Sequence, residues 1–188
     1  RIPDRSALNE PPNGSVGSDM IPQGSSTTAC PKLKLLSIKL AGSEFAFPTR
    51  EIRRSVPLGA IRQDTLAPEI LCGAMELAGE QLGLVDLRSL LGLPPREPSD
   101  KPPTVIVAEQ HGVHIGYLVD AVGELYSIEE SALKPLVGLA GIANSEQRGL
   151  GFFELPDRTM EVLSFDKLVA ASTVRTIENW KNTVERVK

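Results

Sequence analysis

Aromatic residues are scarce: five Phe, two Tyr and one Trp in 188 residues. Proteins that hold nucleic acid use a basic stripe for the phosphates, and those that hold single strands add aromatic faces for the bases. With 20 Lys and Arg against 24 Asp and Glu, a net charge of -4, that stripe is missing, and nucleic acid is excluded as the main partner. Cysteine is nearly absent. Only Cys30 and Cys72 occur, the second beside Ile70 and Leu71, and two reduced thiols are expected rather than a disulfide framework. No apolar run approaches the roughly 18 residues that a bilayer-spanning helix needs. A soluble, cytoplasmic chain with no direct membrane insertion is expected. The basic-then-apolar order of a signal peptide is missing too, and the opening Arg1 reads as a fragment or a processed product.

Glycine and proline are plentiful instead, 16 and 15 residues. Together with the shortage of aromatics they point to many short strands and turns around an aliphatic core. Residues 1–31 are rich in Pro, Ser, Gly and Asn without a hydrophobic period, the composition of a disordered tail or linker. Leu33 to Leu40 alternates as LKLLSIKL, Ala41-Gly42-Ser43 turns, and EFAF resumes the alternation until Pro48. TREIRRSV, from Thr49 to Val56, reads as a helical turn leading into another extended piece, and residues 57–68 read as a loop. The proline- and charge-dense PPREPSDKPP, at 94–103, separates two halves. TVIVA, from Thr104 to Ala108, is β-branched and apolar, a strand, with EQHG turning it into Val113 to Val119. In the last stretch, residues 173–188, Val174, Ile177, Trp180, Val184 and Val187 fall three or four apart, the stripe of an amphipathic helix.

The segment GAMELAGEQLGLVDLRSLLGL, starting at Gly73, has helix-forming composition but three internal glycines. Its echo decides between helix and hairpin. GFFEL at Gly151 matches GAMEL, the polar turn PDRT matches AGEQ, Met160 to Leu163 matches Leu82 to Val85, and SFDKLV matches DLRSLL. The echo carries Pro156 in its middle, which a continuous helix does not tolerate, so both copies read as hairpins feeding a short helix. Asp86 and Ser164 are the expected N-caps. The preceding hairpins match as well, both running strand, polar turn, strand, acid, aliphatic. Two related β subdomains follow, split near residues 94–103.

No catalytic constellation stands up in this chain. His111 and His114 lack the Cys and His company that a metal centre requires, and Cys72 lacks a base partner. The glycine-rich run from Gly138 to Gly151 has no Lys-Ser/Thr phosphate signature. Asp86, Asp120 and Asp166 fall at strand-to-turn junctions, where capping explains an acid. Glu51, among the basic residues of TREIRR, reads equally as a solvated turn or as part of a binding groove. Trp180 reads first as docking its helix on the barrel and second as an interface anchor. An enzyme or small-molecule binder on a β-barrel scaffold is the weakest reading, and no metal or cofactor is expected.

Taken in order, EFAFPTREI, the GAMEL…VDLRSLLGL block, TVIVAEQHGVHIGYLVDAVGELYSI and GLGFFELPDRTMEVLSFDKLV resemble a CheW-like domain, the adaptor that couples bacterial chemoreceptors to the CheA histidine kinase. The resemblance covers residues 33–172. It implies a mainly β fold of two five-stranded SH3-like barrels with a C-terminal helix, here expected over residues 173–188. The implied function is non-catalytic: binding the regulatory domain of a CheA-type kinase end to end, and gripping the cytoplasmic tip of a methyl-accepting chemoreceptor in the groove between barrels. A second CheW-like protein is a further implied partner, and a position on membrane-bound receptor arrays, including polar ones, is the implied location. The groove positions map near Ala46, Thr49, Glu51 and Ile52, with Gly73 and Val105 to Val107 on the neighbouring surface. One departure stands out. Where the family usually has asparagine, arginine and proline, this chain has Glu76, Ala78 and Gly83. Glu51 therefore lacks the family's arginine, for which Arg50, Arg53 or Arg54 are the available substitutes, and restoring it at Ala78 is expected to strengthen binding to a conventional partner. The other reading is a CheW-like regulatory or localisation domain of a larger protein with a different partner.

Overall fold

The computed structural model describes residues 30–98, 101–136 and 148–186. The expected tail therefore lies almost wholly outside the described residues, as do Val187 and most of the glycine-rich run.

Among the described residues, ten strands fall into two five-stranded sheets. The first half supplies β1 (Lys32–Leu40), β2 (Ser43–Pro48), β3 (Ile52–Pro57), β4 (Gly73–Leu77), β5 (Glu80–Asp86) and the short helix α1 (Leu87–Leu90). The second supplies β6 (Thr104–Gln110), β7 (Val113–Val119), β8 (Ala121–Glu129), β9 (Gly149–Glu154), β10 (Thr159–Leu163) and α2 (Phe165–Leu168), followed by the long helix α3 (Ala171–Arg186). The hairpin reading of GAMELAGEQLGLVD holds: β4 and β5 pair from Gly73↔Leu84 to Leu77↔Glu80 around an Ala78-Gly79 turn. Ala78 at φ 52° and Gly79 at φ 84° supply the left-handed pair that a tight hairpin needs.

The subdomains are not the sequence halves. The first sheet runs β8-β1-β2-β10-β9 and the second β3-β6-β7-β5-β4. Advancing every strand of the first order by one repeat turns it into the second, so the two barrels are copies that have exchanged strands. A split near residues 94–103 separates the sequence repeats but cuts through both barrels. The reason lies in β2 and β7. Each is followed at once by a strand of the opposite barrel, through a 3-10 turn at Thr49–Glu51 in one case and the single residue Asp120 in the other.

Each barrel is closed by one extra bridge, Arg62↔Ala74 in the second and Lys134↔Phe152 in the first. Beside each bridge stands a glycine, Gly73 at φ 151° and Gly151 at φ 150°. A Cβ on Gly151 would lie 2.4 Å from the Lys134 carbonyl oxygen, and one on Gly73 2.4 Å from the Ile61 Cγ2 and 3.1 Å from the Arg62 oxygen. The closing segment can approach only where residue 73 or 151 has no side chain.

Three apolar cores result. Leu33, Leu35, Ala46, Phe153, Met160 and Val162 fill the first barrel. Met75, Leu82, Leu84, Val105, Val107 and Leu118 fill the second. The largest core lies between them, where the outward faces of both sheets meet through Ile38, Phe47, Val85, Ile106, Tyr117 and Phe165, and where α3 adds Val174, Ile177 and Trp180. At about 25 cal/mol per Å² of apolar surface, this shared layer is what holds two small barrels as one body.

Candidate functional site

The turn between β2 and β3 crosses from one barrel to the other and carries Thr49, Glu51 and Ile52. Thr49 and Ile52 are half-buried, but Glu51 is only 7% exposed. Its Oε1 accepts from the Ser164 hydroxyl at 2.9 Å and its Oε2 from the Phe165 backbone N–H at 2.7 Å. Glu51 thus caps α2 from a distance of 114 residues in sequence. Ser164, the expected cap, makes no capping bond of its own and instead donates to the acid that does. Burial is the strongest influence on the Glu51 carboxyl and pushes it up, and the hydrogen bonds from Ser164 and Phe165 offset this only in part.

Phe165 is held on every side. Its carbonyl accepts from Gln110 Nε2 at 2.5 Å, and Gln110 accepts in turn from the Tyr117 hydroxyl. Its ring stacks on Phe47 at 4.3 Å between centroids and lies against Tyr117 at 4.4 Å. Residues of β2 and β7 therefore meet on the Phe165 ring, and residues of β6 and the crossing turn on its backbone, at the barrel junction.

The repeat places a second acid at the equivalent crossing. Asp120, between β7 and β8, accepts from the Ala41 backbone N–H at 2.7 Å, from Arg88 Nε at 2.8 Å and from Arg96 at 2.7 Å. Arg88 also donates to the Pro95 carbonyl at 3.1 Å, which pins the proline-rich connection to the barrel. Burial again acts most strongly and pushes the Asp120 carboxyl up, but the bonds from Arg88, Ala41 and Arg96 outweigh it and hold the group below the usual carboxylate range. Asp86 behaves as expected, capping α1 through Arg88 N at 3.0 Å. Asp120 does more than capping explains, since it joins both barrels and the linker.

The residues singled out from sequence scatter accordingly. Ala46 and Val105 are 0% exposed and Val107 2%, inside the barrels, so they shape a surface but offer no side chain to a partner. Gly73 belongs to barrel closure. Ala78 is exposed at the β4–β5 turn. An arginine there would find both Glu51 oxygens already engaged within the fold, so the pairing expected from sequence is corrected: Glu51 is a buried bracket, not an orphaned surface acid. Trp180 is not an interface anchor either. It is 6% exposed, and its Nε1 donates to Asp64 Oδ2 at 2.8 Å. Sequence reasoning passed over Gln110, Tyr117, Arg88 and Arg96, although the acid shared by both repeats was the signal for the two brackets.

The exposed surface of the second barrel carries a row of charges. Arg53 on β3 pairs with Glu109 on β6 at 2.7 Å, and His114 on β7 lies between Glu109 at 3.5 Å and Glu80 on β5 at 3.8 Å. Lys181 of α3 reaches Glu80 at 3.5 Å.

A family model for the CheW-like domain matches residues 34–173. The chain belongs to the CheW-like domain family. Among curated CheW-like relatives, a probable chemotaxis protein CheW of Rhizobium etli is 29% identical over 105 residues, covering 54% of this chain and 65% of that protein, just under two thirds of its length. The chemotaxis protein CheW of Bacillus subtilis is 24% identical over 104 residues, covering 54% and 64%. The CheW-like fold is matched by the crystal structure of the scaffolding protein TtCheW from Thermoanaerobacter tengcongensis, with TM-score 0.64, 23% identity and coverage of 73% of this chain and 92% of that one. No helix among the described residues of this CheW-like chain is long and apolar enough to cross a membrane.

Proposed function

We propose that this chain is a non-catalytic adaptor in bacterial chemosensory signalling, binding the regulatory domain of a CheA-type histidine kinase and the cytoplasmic tip of a chemoreceptor. The match of residues 34–173 to the CheW-like domain is the observation that carries the reading. The architecture supports it physically. Two copies of one barrel joined in a fixed relation by the Glu51 and Asp120 brackets give a body with two related but unlike ends, suited to bridging two partners at once. The chemistry on the surface is that of contact: paired charges on the second barrel, the β4–β5 turn at Ala78, and the half-buried Thr49 and Ile52 beside the barrel junction. Association with membrane-bound receptor arrays follows from the same reading.

Titration of the full chain against the kinase regulatory domain and against a receptor-tip fragment tests it. Binding of both in the range of tens of micromolar or tighter is the expected result. Failure of both to bind overturns the adaptor role.

A further inference from the structure

Helix α3 begins at Ala171, and the family match ends at residue 173. Nearly all of this helix therefore lies beyond the matched domain, yet it is packed into the core between the barrels and against β5 of the second. Val174 and Ile177 are 1% exposed. The Trp180 ring lies over Gly83 of β5: a Cβ at position 83 would stand 3.3 Å from Trp180 Cζ3 and 3.0 Å from a Leu71 methyl. The absent side chain at 83 makes the seat in which the ring and Leu71 meet.

The same indole has a second function. Its N–H donates to Asp64 Oδ2, while Asp64 Oδ1 accepts from Leu66 N at 2.9 Å and the Asp64 carbonyl from Ala67 N at 3.1 Å. Asp64 is thus the centre of the turn in the loop of residues 58–72, and that turn is tied to α3. The loop carries two of the three large hydrophobic side chains exposed among the described residues, Leu66 at 76% and Ile61 at 41%. One residue along the helix, Lys181 reaches Glu80, two positions from the exposed Ala78. Helix α3 therefore touches both segments that flank the outer end of the second barrel, the 58–72 loop and the β4–β5 hairpin.

We infer that α3 is a latch that sets the shape of this end, with Trp180 the positioning residue and Gly83 the residue that admits it. A bond from an indole fixed in the core gives the Asp64 turn one arrangement. Without it the turn keeps its local bonds but loses its hydrogen bond to the helix. The regulatory part rests on the adaptor reading: a partner that contacts the β4–β5 turn and its flanking loop meets a preorganised surface when α3 is docked, and must order that surface itself when the latch is broken.

Amide hydrogen exchange on the full chain tests the latch directly. W180F keeps an aromatic ring on the helix but removes the N–H, together with the outer part of the indole that lies over Gly83. Exchange at Leu66 and Ala67 should quicken about three- to tenfold, the protection one hydrogen bond supplies, while the strands of the first barrel stay unchanged. G83A, which presses on the ring and on Leu71, should act in the same direction. Unchanged exchange at Leu66 and Ala67, or uniform acceleration in both barrels, overturns the latch. In a parallel titration, W180F should bind the kinase regulatory domain about threefold more weakly or worse. Faster exchange with unaltered affinity overturns the role in presenting the surface. If the unaltered chain binds neither the kinase domain nor the receptor fragment, the adaptor reading falls, and the exchange result alone decides the latch.

Discussion

Glu51 and Asp120 occupy the same place in the two repeats, and the fold shifts their carboxyls in opposite directions, Glu51 up and Asp120 down. A carboxyl raised by burial binds its proton more tightly in the folded chain than in the unfolded one. Its contribution to stability is therefore full below the ordinary value of 4.5 and lost as pH rises through the raised one. E51Q cannot ionise, so urea midpoints taken from about pH 4 to about pH 8 should decline less with rising pH than those of the unaltered chain. E51A leaves the Phe165 N–H and the Ser164 hydroxyl buried without their acceptor and should cost about 2 kcal/mol. Asp120 is depressed, so its contribution is present above the ordinary value of 3.8 and lost as pH falls through the lowered one. D120A removes the carboxylate paired with Arg88, whose side chain is only 8% exposed, and should cost about 3 kcal/mol, read as a lower urea midpoint at neutral pH. Neither role could be read from local sequence. The acids were visible there, but each acts on a backbone or side chain brought close only by the fold.

At the scale of the element, the two closing glycines separate what sequence and structure each contribute. The repeat made Gly73 and Gly151 equivalent; the first strand formed over Gly73–Leu77 as the echo placed it, and the second over Gly149–Glu154, two residues earlier at its start. That either residue must be glycine depends on a segment, residues 61–62 or 133–134, that crosses against it only in the closed barrel. G151A should be the more damaging substitution, because its Cβ meets the Lys134 backbone oxygen whereas at Gly73 the nearest atom is the end of the Ile61 side chain. A loss of about 2 kcal/mol or more is expected for G151A and a smaller one for G73A, read as urea midpoints with unchanged slopes. Helix α3 was equally legible: the stripe Val174, Ile177, Trp180 is the buried face, and the helix begins at Ala171, two residues earlier than its periodicity suggested. The caps were half legible. Asp86 caps α1 through its own side chain, as its residue type implies, but at α2 a remote glutamate outcompetes the local serine because a carboxylate accepts from the serine hydroxyl and the next backbone N–H together.

For the whole molecule, strand exchange means that neither half contains a complete barrel. Residues 30–98 hold two strands of one sheet and three of the other. Expressed alone, that fragment should lack cooperative unfolding, and mixing it with residues 101–188 should restore a folded complex, measured by circular dichroism and by urea melts of the mixture. The sequence by itself determined the strand-and-turn character, the repeat, the hairpin at Gly73 and the amphipathic C-terminal helix, because alternation, turn chemistry and internal similarity act over a few residues or between matching stretches; the count of five strands per barrel came with the family resemblance. Tertiary structure alone decided which strands share a barrel and where the buried acids and the tryptophan find their partners. Those choices follow from pairings across as many as 116 residues, such as Asp64 with Trp180, and no local pattern of polarity encodes a contact at that range.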